Sequence, residues 1–143
     1  AGRAALPPGL RGRAGAGVMR LHHVQLSCPV GGEDGARRFW VEGMGLVEVA
    51  KPPVLAARGG AWFRGGAVEV HVGVEEPFVP ARRAHPALLL DDAEELARTA
   101  ERLRGLGFEV DWTDRATFPG HERCHAHDAH GNRVELLAIP RGA

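Results

Sequence analysis

Residues 85–110, HPALLLDDAEELARTAERLRGLGFEV, contain a complete strand-helix-strand pattern. The apolar run over 85–90 predicts a strand, and Asp92 with Glu95 three residues later has the spacing of a capping box at the start of a helix. Gly107 is the expected end of that helix, because glycine readily adopts the left-handed conformation that closes helices. A second strand follows at the end of the stretch. The helix would bury one apolar stripe, formed by Leu96, Ala100 and Leu103.

The same pattern occurs once earlier in the chain, which indicates an internal duplication. A strand is predicted over 21–26 and a helix over 34–44, and Gly45 is expected to end that helix. The spacing from His23 to Gly45 is 22 residues, equal to that from His85 to the glycine that ends its helix. The two copies are offset by 62 residues.

The ends of the two copies also match. The stretch GGAVEV at 65–70 resembles GNRVEL at 131–136, and this alignment pairs Glu69 with Glu135. Each copy is therefore predicted to be a βαβββ module, and two modules would join their mixed sheets around a cleft with the helices outside, an α+β fold. The single domain is expected to span 20–143. It divides in order into module one, a linker and module two, over 20–76, 77–83 and 84–138.

Residues 1–19 are rich in Arg, Gly and Pro and carry no acidic residue. This composition and the lack of apolar periodicity predict a flexible tail outside the domain. The tail lacks the apolar run of a secretory signal, so we expect a cytoplasmic protein. The two cysteines, Cys28 and Cys124, form no CxxC pair and are expected to be free thiols.

The charge and hydropathy of the whole chain disfavour two classes of protein. The 143 residues include 18 basic and 18 acidic side chains, so the formal net charge is zero. A nucleic-acid-binding protein is usually basic, which counts against that class. No apolar run approaches the roughly 18 residues of a spanning helix, so no membrane-spanning segment is expected.

Alternate residues of the predicted strands place polar side chains on the face opposite the helices. In module one this face carries His23 on the first strand and Glu69 and His71 on the last strand, and in module two it carries His85 and Glu135. Imidazoles and carboxylates that converge in a cleft are a typical ligand set for a divalent metal. A single histidine on a strand is more often structural, but its duplication together with a glutamate favours a metal site.

Four further residues are candidates for contact with a substrate. His125 lies in a His-Ala-His stretch and could shuttle protons near neutral pH. Arg123 and Arg133 lie on or beside predicted strands and could hold a carboxylate or phosphate, although a solvated surface arginine is the alternative. One of Trp62 and Phe63 is expected to line the cleft and the other to pack in the core, and we assign the cleft to Trp62.

Four stretches together resemble the vicinal oxygen chelate superfamily. They are LHHVQLSCP at 21–29, FW-x-EGMGL at 39–46, HPALLLDDAEEL at 85–96 and DAHGNRVELL at 128–137. The superfamily includes glyoxalase I, fosfomycin-resistance proteins, methylmalonyl-CoA epimerase, extradiol dioxygenases and bleomycin-binding proteins. The resemblance covers about residues 20–138, and it implies paired βαβββ modules whose sheets form a cleft around one metal.

The resemblance implies His23, His85 and Glu135 as metal ligands, with Zn, Ni, Mn, Co or Fe as the divalent ion. Two residues compete for a fourth position. The internal repeat selects Glu69, whereas the Val-His-Val-Gly stretch resembles small family members with a histidine ligand and selects His71. Both lie on one face and a β-bulge could exchange them, so the choice stays open.

The implied activity is that of a metal-dependent isomerase or lyase of the glyoxalase type. The metal would chelate two neighbouring oxygens of a small-molecule substrate, and Glu135 or Glu69 would move the proton. One alternative is a metal-free drug-binding protein similar to bleomycin-resistance proteins, which lack the ligand set. A ring-cleaving dioxygenase is disfavoured, because those enzymes rely on a tyrosine acid and this chain contains no tyrosine.

The linker contains Pro77 and Pro80, which stiffen it and hinder the modules from folding back on each other. We therefore predict a homodimer, the commonest kind of oligomer. In an exchanged form, His23 of one chain would complete a site with His85 and Glu135 of the other. In an unexchanged form all three share one chain, and the sequence leaves both forms open.

Overall fold

The computed structural model describes residues 17–142, and the predicted tail falls mostly on residues 1–16, which lie outside the described part. The helices are α1 (Glu33–Arg37), which continues as a π-helix (Arg38–Gly43), α2 (Pro53–Ala56) and α3 (Ala93–Gly105). The strands are β1 (Val24–Cys28), β2 (Val47–Val49), β3 (Ala61–Gly65), β4 (Val68–Val74), β5 (Ala87–Leu89), β6 (Val110–Asp111), β7 (Glu122–His127) and β8 (Arg133–Ala138).

Each module forms one four-stranded mixed sheet. The strand order is β1-β4-β3-β2 in module one and β5-β8-β7-β6 in module two. The first strand of each module runs parallel to the last strand, and the other neighbouring strands are antiparallel. The predicted α+β fold of two βαβββ modules is thereby confirmed.

The first helix ends in a wide turn that the sequence did not predict. Instead of one α-helix over 34–44, α1 continues as a π-helix, in which the Met44 N–H donates to the Phe39 carbonyl five residues back at 2.8 Å. A π-turn inserts one residue without changing the apolar composition, so a period of 3.6 residues does not reveal it. The helix nevertheless ends where predicted, since Gly45 has a φ of +78°.

The helix α3 forms as predicted. Asp92 caps it by accepting a hydrogen bond from the Glu95 N–H at 2.8 Å. The helix packs against the π-helix of module one at Gly43. The absence of a side chain permits this close approach, because a Cβ at Gly43 would lie only 2.5 Å from Leu103 Cδ2. Buried residues of both modules join in one hydrophobic core behind the sheets. The predicted stripe is buried in that core and consists of Leu96, Ala100 and Leu103.

The first strand of each module starts later than predicted, so His23 and His85 precede their strands. β1 begins at Val24, and β5 begins at Ala87. In module two, Pro86 has no N–H for the strand ladder, although its carbonyl accepts the Glu135 N–H at 2.9 Å. β1 and β5 are edge strands that line one shared cavity, and His85 lines a second cavity together with β1. The two histidines therefore lie near the line where the modules meet.

The strand register changes how the two modules align. Gln25 pairs with His71 between β1 and β4, and Ala87 pairs with Glu135 between β5 and β8. Gln25 and Ala87 are related by the repeat offset of 62 residues, so His71 occupies the position equivalent to Glu135. The sequence alignment of Glu69 with Glu135 therefore differs from the structural alignment by two residues. A shift of two keeps every side chain on its face, so hydrophobic alternation could not detect it.

Asn132 connects the two modules through three hydrogen bonds. Its buried side chain donates to the Ser27 carbonyl and to Asp128 Oδ2, each at 2.8 Å, and accepts from the Ala81 N–H at 2.9 Å. The side chain thus joins the end of β1, the linker and the turn that precedes β8. Because the Asn132 side chain is buried, each of these bonds matters for stability.

Asn132→Ala is expected to lower the free energy of unfolding by about 3 kcal/mol, because it removes three hydrogen bonds and leaves buried or partly buried partners unpaired. Urea unfolding measures the loss. Ala129 is an exposed neighbour in the same turn, and Ala129→Ser should change stability by less than about 0.5 kcal/mol. A loss below about 1 kcal/mol in Asn132→Ala would contradict a connecting role for this side chain.

Both cysteines are free and buried. Burial raises the pKa of the Cys124 thiol to about 12, and burial also raises the pKa of the Cys28 thiol. Because the thiolate is the nucleophilic form, both residues act as small apolar side chains of the core.

The longest helix, α3, has 13 residues. Within residues 17–142, no helix combines the length and the apolar character that crossing a membrane requires.

Candidate metal centre

Three potential metal ligands come together on the polar face of module two. His125 on β7 and Glu135 on β8 are direct cross-strand partners, and His85 approaches from the segment before β5. The Nε2 atoms of His125 and His85 lie 3.1 and 3.3 Å from Glu135 Oε1. The potential ligand atoms of these residues, called here the module-two cluster, all lie within 4.8 Å of one another, so one ion could contact all three.

A hydrogen bond on the far side of His85 orients its ring so that Nε2 faces Glu135. Nδ1 lies 2.7 Å from the Arg83 carbonyl, which can only accept, so Nδ1 carries the proton of the neutral ring. Nε2 faces the Glu135 carboxylate, where it can donate a second proton to Oε1 or offer a lone pair to an ion held between the two groups. The histidines and carboxylate fit a divalent first-row metal.

The charges around the module-two cluster favour the metal-binding forms of its residues. Burial alone would raise the pKa of Glu135, but hydrogen bonds from His85 and His125 and the charge of Arg123 outweigh burial, so that pKa lies below its usual value. Burial, aided by the charge of Arg133, lowers the pKa of His125. At neutral pH Glu135 is therefore ionised and His125 is neutral, and these are the forms that bind metals.

The two arginines predicted to bind substrate both border the module-two cluster. Arg123 Nη1 donates to Glu135 Oε1 at 3.0 Å, and its Nη2 donates to Thr117 Oγ1 at 2.8 Å, so the guanidinium is held against the carboxylate. Arg133 is half-buried on β8, two residues before Glu135, and therefore on the same face. Both cations could receive an anionic group of a substrate.

The other predicted ligands form a second group, the module-one cluster, which consists of His23, Trp62, Glu69 and His71. The rings of His23 and Trp62 each stack on His71, with centroid distances of 4.0 and 3.9 Å. His71 Nε2 lies 3.1 Å from Glu69 Oε1. Burial lowers the pKa of His71, and the hydrogen bond from His71 lowers that of Glu69. This arrangement favours a neutral imidazole beside an ionised carboxylate.

The predicted ligand set is thus divided between the modules. His85 and Glu135 lie in the module-two cluster, whereas His23 and His71 lie outside the group of ligand atoms within 4.8 Å. His125, which the sequence assigned to substrate binding, is itself one of the three potential ligands of the module-two cluster. The signal for this position was the His-Ala-His alternation on a strand that pairs with the strand of Glu135.

Comparisons with known proteins agree with this fold. Residues 20–136 match the family model of the Glyoxalase/Bleomycin resistance protein/Dioxygenase superfamily. The crystal structure of a glyoxalase family protein from Bacillus anthracis is similar to this chain, with 37% sequence identity and a TM-score of 0.78. The match covers 87% of this chain and 98% of that chain. No curated protein matches the chain with comparable significance.

Two further solved structures share the fold at lower sequence identity. The fosfomycin resistance protein FosX from Listeria monocytogenes is 17% identical with a TM-score of 0.68, over 85% of this chain and 93% of that chain. The lactoylglutathione lyase from Agrobacterium tumefaciens is 20% identical with a TM-score of 0.59, over 80% of this chain and 91% of that chain. At these identities the likeness concerns the fold alone.

Proposed function

The chain belongs to the Glyoxalase/Bleomycin resistance protein/Dioxygenase superfamily, and from this premise we propose that it is a metal-dependent lyase or isomerase acting on a small oxygen-bearing substrate. The main support is the module-two cluster, in which potential ligand atoms of His85, His125 and Glu135 all lie within 4.8 Å of one another. Two imidazoles beside a carboxylate are a typical ligand set for a divalent ion.

His85 and Glu135 would hold the metal, with His23 as the third ligand. His71 is our choice for the fourth position, because the register places it opposite Gln25 as Glu135 is placed opposite Ala87. Glu69 is then left free of the metal and remains in contact with His71 at 3.1 Å. A divalent ion held there would act as a Lewis acid on two neighbouring oxygens of the substrate.

The side chains around the ligands would handle protons and charge. Glu69 and Glu135 both have lowered pKa values and are therefore ionised at neutral pH. Either carboxylate is then in the form that could accept a proton from a carbon next to the substrate oxygens. Neutral His125 could pass that proton on through Nε2. Arg123 and Arg133 would hold negative charge that the substrate carries or develops during the reaction.

The same proposal includes a homodimer with an exchanged site. In residues 17–142 of one chain, His23 stays stacked on His71 and outside the module-two cluster, while Gln25 on the polar face of β1 is exposed. A partner subunit could cover this face and bring His85 and Glu135 of one chain to His23 of the other. Twofold symmetry would then create two equivalent sites.

Metal loading tests the proposed function directly. Protein purified without a polyhistidine tag and stripped with a chelator should bind one Zn, Ni, Mn, Co or Fe(II) ion per chain, measured by calorimetry and elemental analysis. Binding should weaken on acidification, because protons compete with the metal for the ligand atoms. If none of these ions binds stoichiometrically, the enzyme proposal fails and a metal-free binding protein becomes the better explanation.

A further inference from the structure

A second feature of module one is a cavity of about 200 Å³ on the face of the sheet that carries His71. Gln25 and Trp62 line it, and both are cross-strand partners of His71. Gly73, two residues further along β4, lines it as well. A Cβ at Gly73 would lie 2.7 Å from Gln25 Nε2, so the missing side chain keeps this part of the cavity open. The cavity therefore adjoins the module-one cluster.

The charged side chains that line the cavity are both cationic. Lys51 and Arg58 both line it, and no acidic side chain is among its lining residues, all of which lie in the described part of the chain. The Lys51 ammonium also bonds to the Gly59 carbonyl, which holds it at the cavity wall. Glu33 Oε1 comes close to Gly59 but already accepts from the Gly60 N–H at 3.0 Å. The two cations therefore remain available to attract an anion and offer it several N–H donors.

The cavity also has an apolar part to its lining. Leu55, from the short helix α2, and the aromatic ring of Trp62 contribute to it. Trp62 lies parallel to His71, with an interplanar angle of 3° and a centroid distance of 3.9 Å, so its orientation is held by the module-one cluster. A ligand that fills the cavity would combine an anionic end with a flat or apolar body.

We propose that this cavity binds the anionic end of the substrate, a carboxylate or a phosphate, with the apolar body of the substrate against Trp62. The ligand would run from Lys51 and Arg58 along Trp62 toward His71, which places its far end at the proposed metal centre. The inference deepens the proposed function and depends on it for the identity of the ligand as a substrate. Anion binding in the cavity itself requires no metal.

Small aromatic probes test the cavity in the full-length, metal-free protein. Benzoate and phenyl phosphate carry the two candidate anions, and benzamide is the neutral control. The indole N–H signal of Trp62 in NMR spectra, assigned by its loss in Trp62→Phe, reports binding at this position. At least one anion should shift this signal with an affinity about tenfold or more above that of benzamide, and the stronger of the two identifies the preferred group.

Substitution of the cations completes the test. Lys51→Met and Arg58→Gln should each weaken binding of the preferred anion about tenfold, whereas Arg82→Gln, at an exposed linker arginine, should not. Equal binding of benzamide, absence of binding by both anions, or equal affinities in all three variants would overturn the cavity assignment. Metal stoichiometry of the same variants is measured separately, so a failure of the metal proposal is distinguishable from a failure of the anion site.

Discussion

Glu135→Gln is expected to weaken metal binding by more than about a hundredfold while the protein stays folded. Glutamine has nearly the shape of glutamate but no charge, and Glu135 Oε1 is the atom on which His85, His125 and Arg123 converge. The absorption of bound Co(II) and calorimetry measure the affinity, and thermal unfolding checks the fold.

Glu122→Gln is the matched control. Glu122 lies on β7 three residues before His125 and is ion-paired with Arg115, so the odd spacing directs it to the opposite face of the sheet. The same chemical change there should leave the metal affinity unchanged. If Glu135→Gln bound metal as tightly as Glu122→Gln, the module-two cluster would not be the metal centre.

The sequence predicted the elements whose signals are local. Asp92 caps α3, and Gly45 and Gly107 both have the positive φ expected after a helix. These features depend on a few neighbouring residues, so their chemistry can be recognised without knowledge of the fold. The apolar stripe of α3 and the buried Val70 and Val72 of β4 follow from periodicity in the same way.

The features that the sequence missed depend on how distant segments meet. One case is the alignment of Glu69 with Glu135, which differs from the strand pairing by two residues. Register is set by strand pairing, and a shift of two residues keeps every side chain on its face. The position of His125 is another, since it depends on pairing with Glu135 ten residues away. The cavity beside Lys51 and Arg58 arises where the short helix α2 lies beside the sheet, which no periodic pattern indicated.

Mixed dimers are expected to separate the exchanged site from a site within one chain. The experiment combines a His23→Ala chain with a His85→Ala chain, and each of these should fail to bind metal as a homodimer. Two different purification tags, neither of them polyhistidine, select the mixed dimer. The exchanged form should recover one metal site per mixed dimer, half of the wild-type number. The absorption of bound Co(II) per verified mixed dimer is the measurement, and the two parent homodimers are the controls.

The expected recovery follows from where the two substitutions fall. In the exchanged form, one site combines His23 of the first chain with His85 of the second, and both of these are replaced, while the other site combines the two intact histidines. In the unexchanged form each chain lacks one ligand of its own site, so the mixed dimer should recover no metal site. A monomer in sedimentation at micromolar concentration would exclude the dimer itself. Within one chain, His23 and His85 belong to separate clusters. A metal site that takes its ligands from two chains would explain this separation.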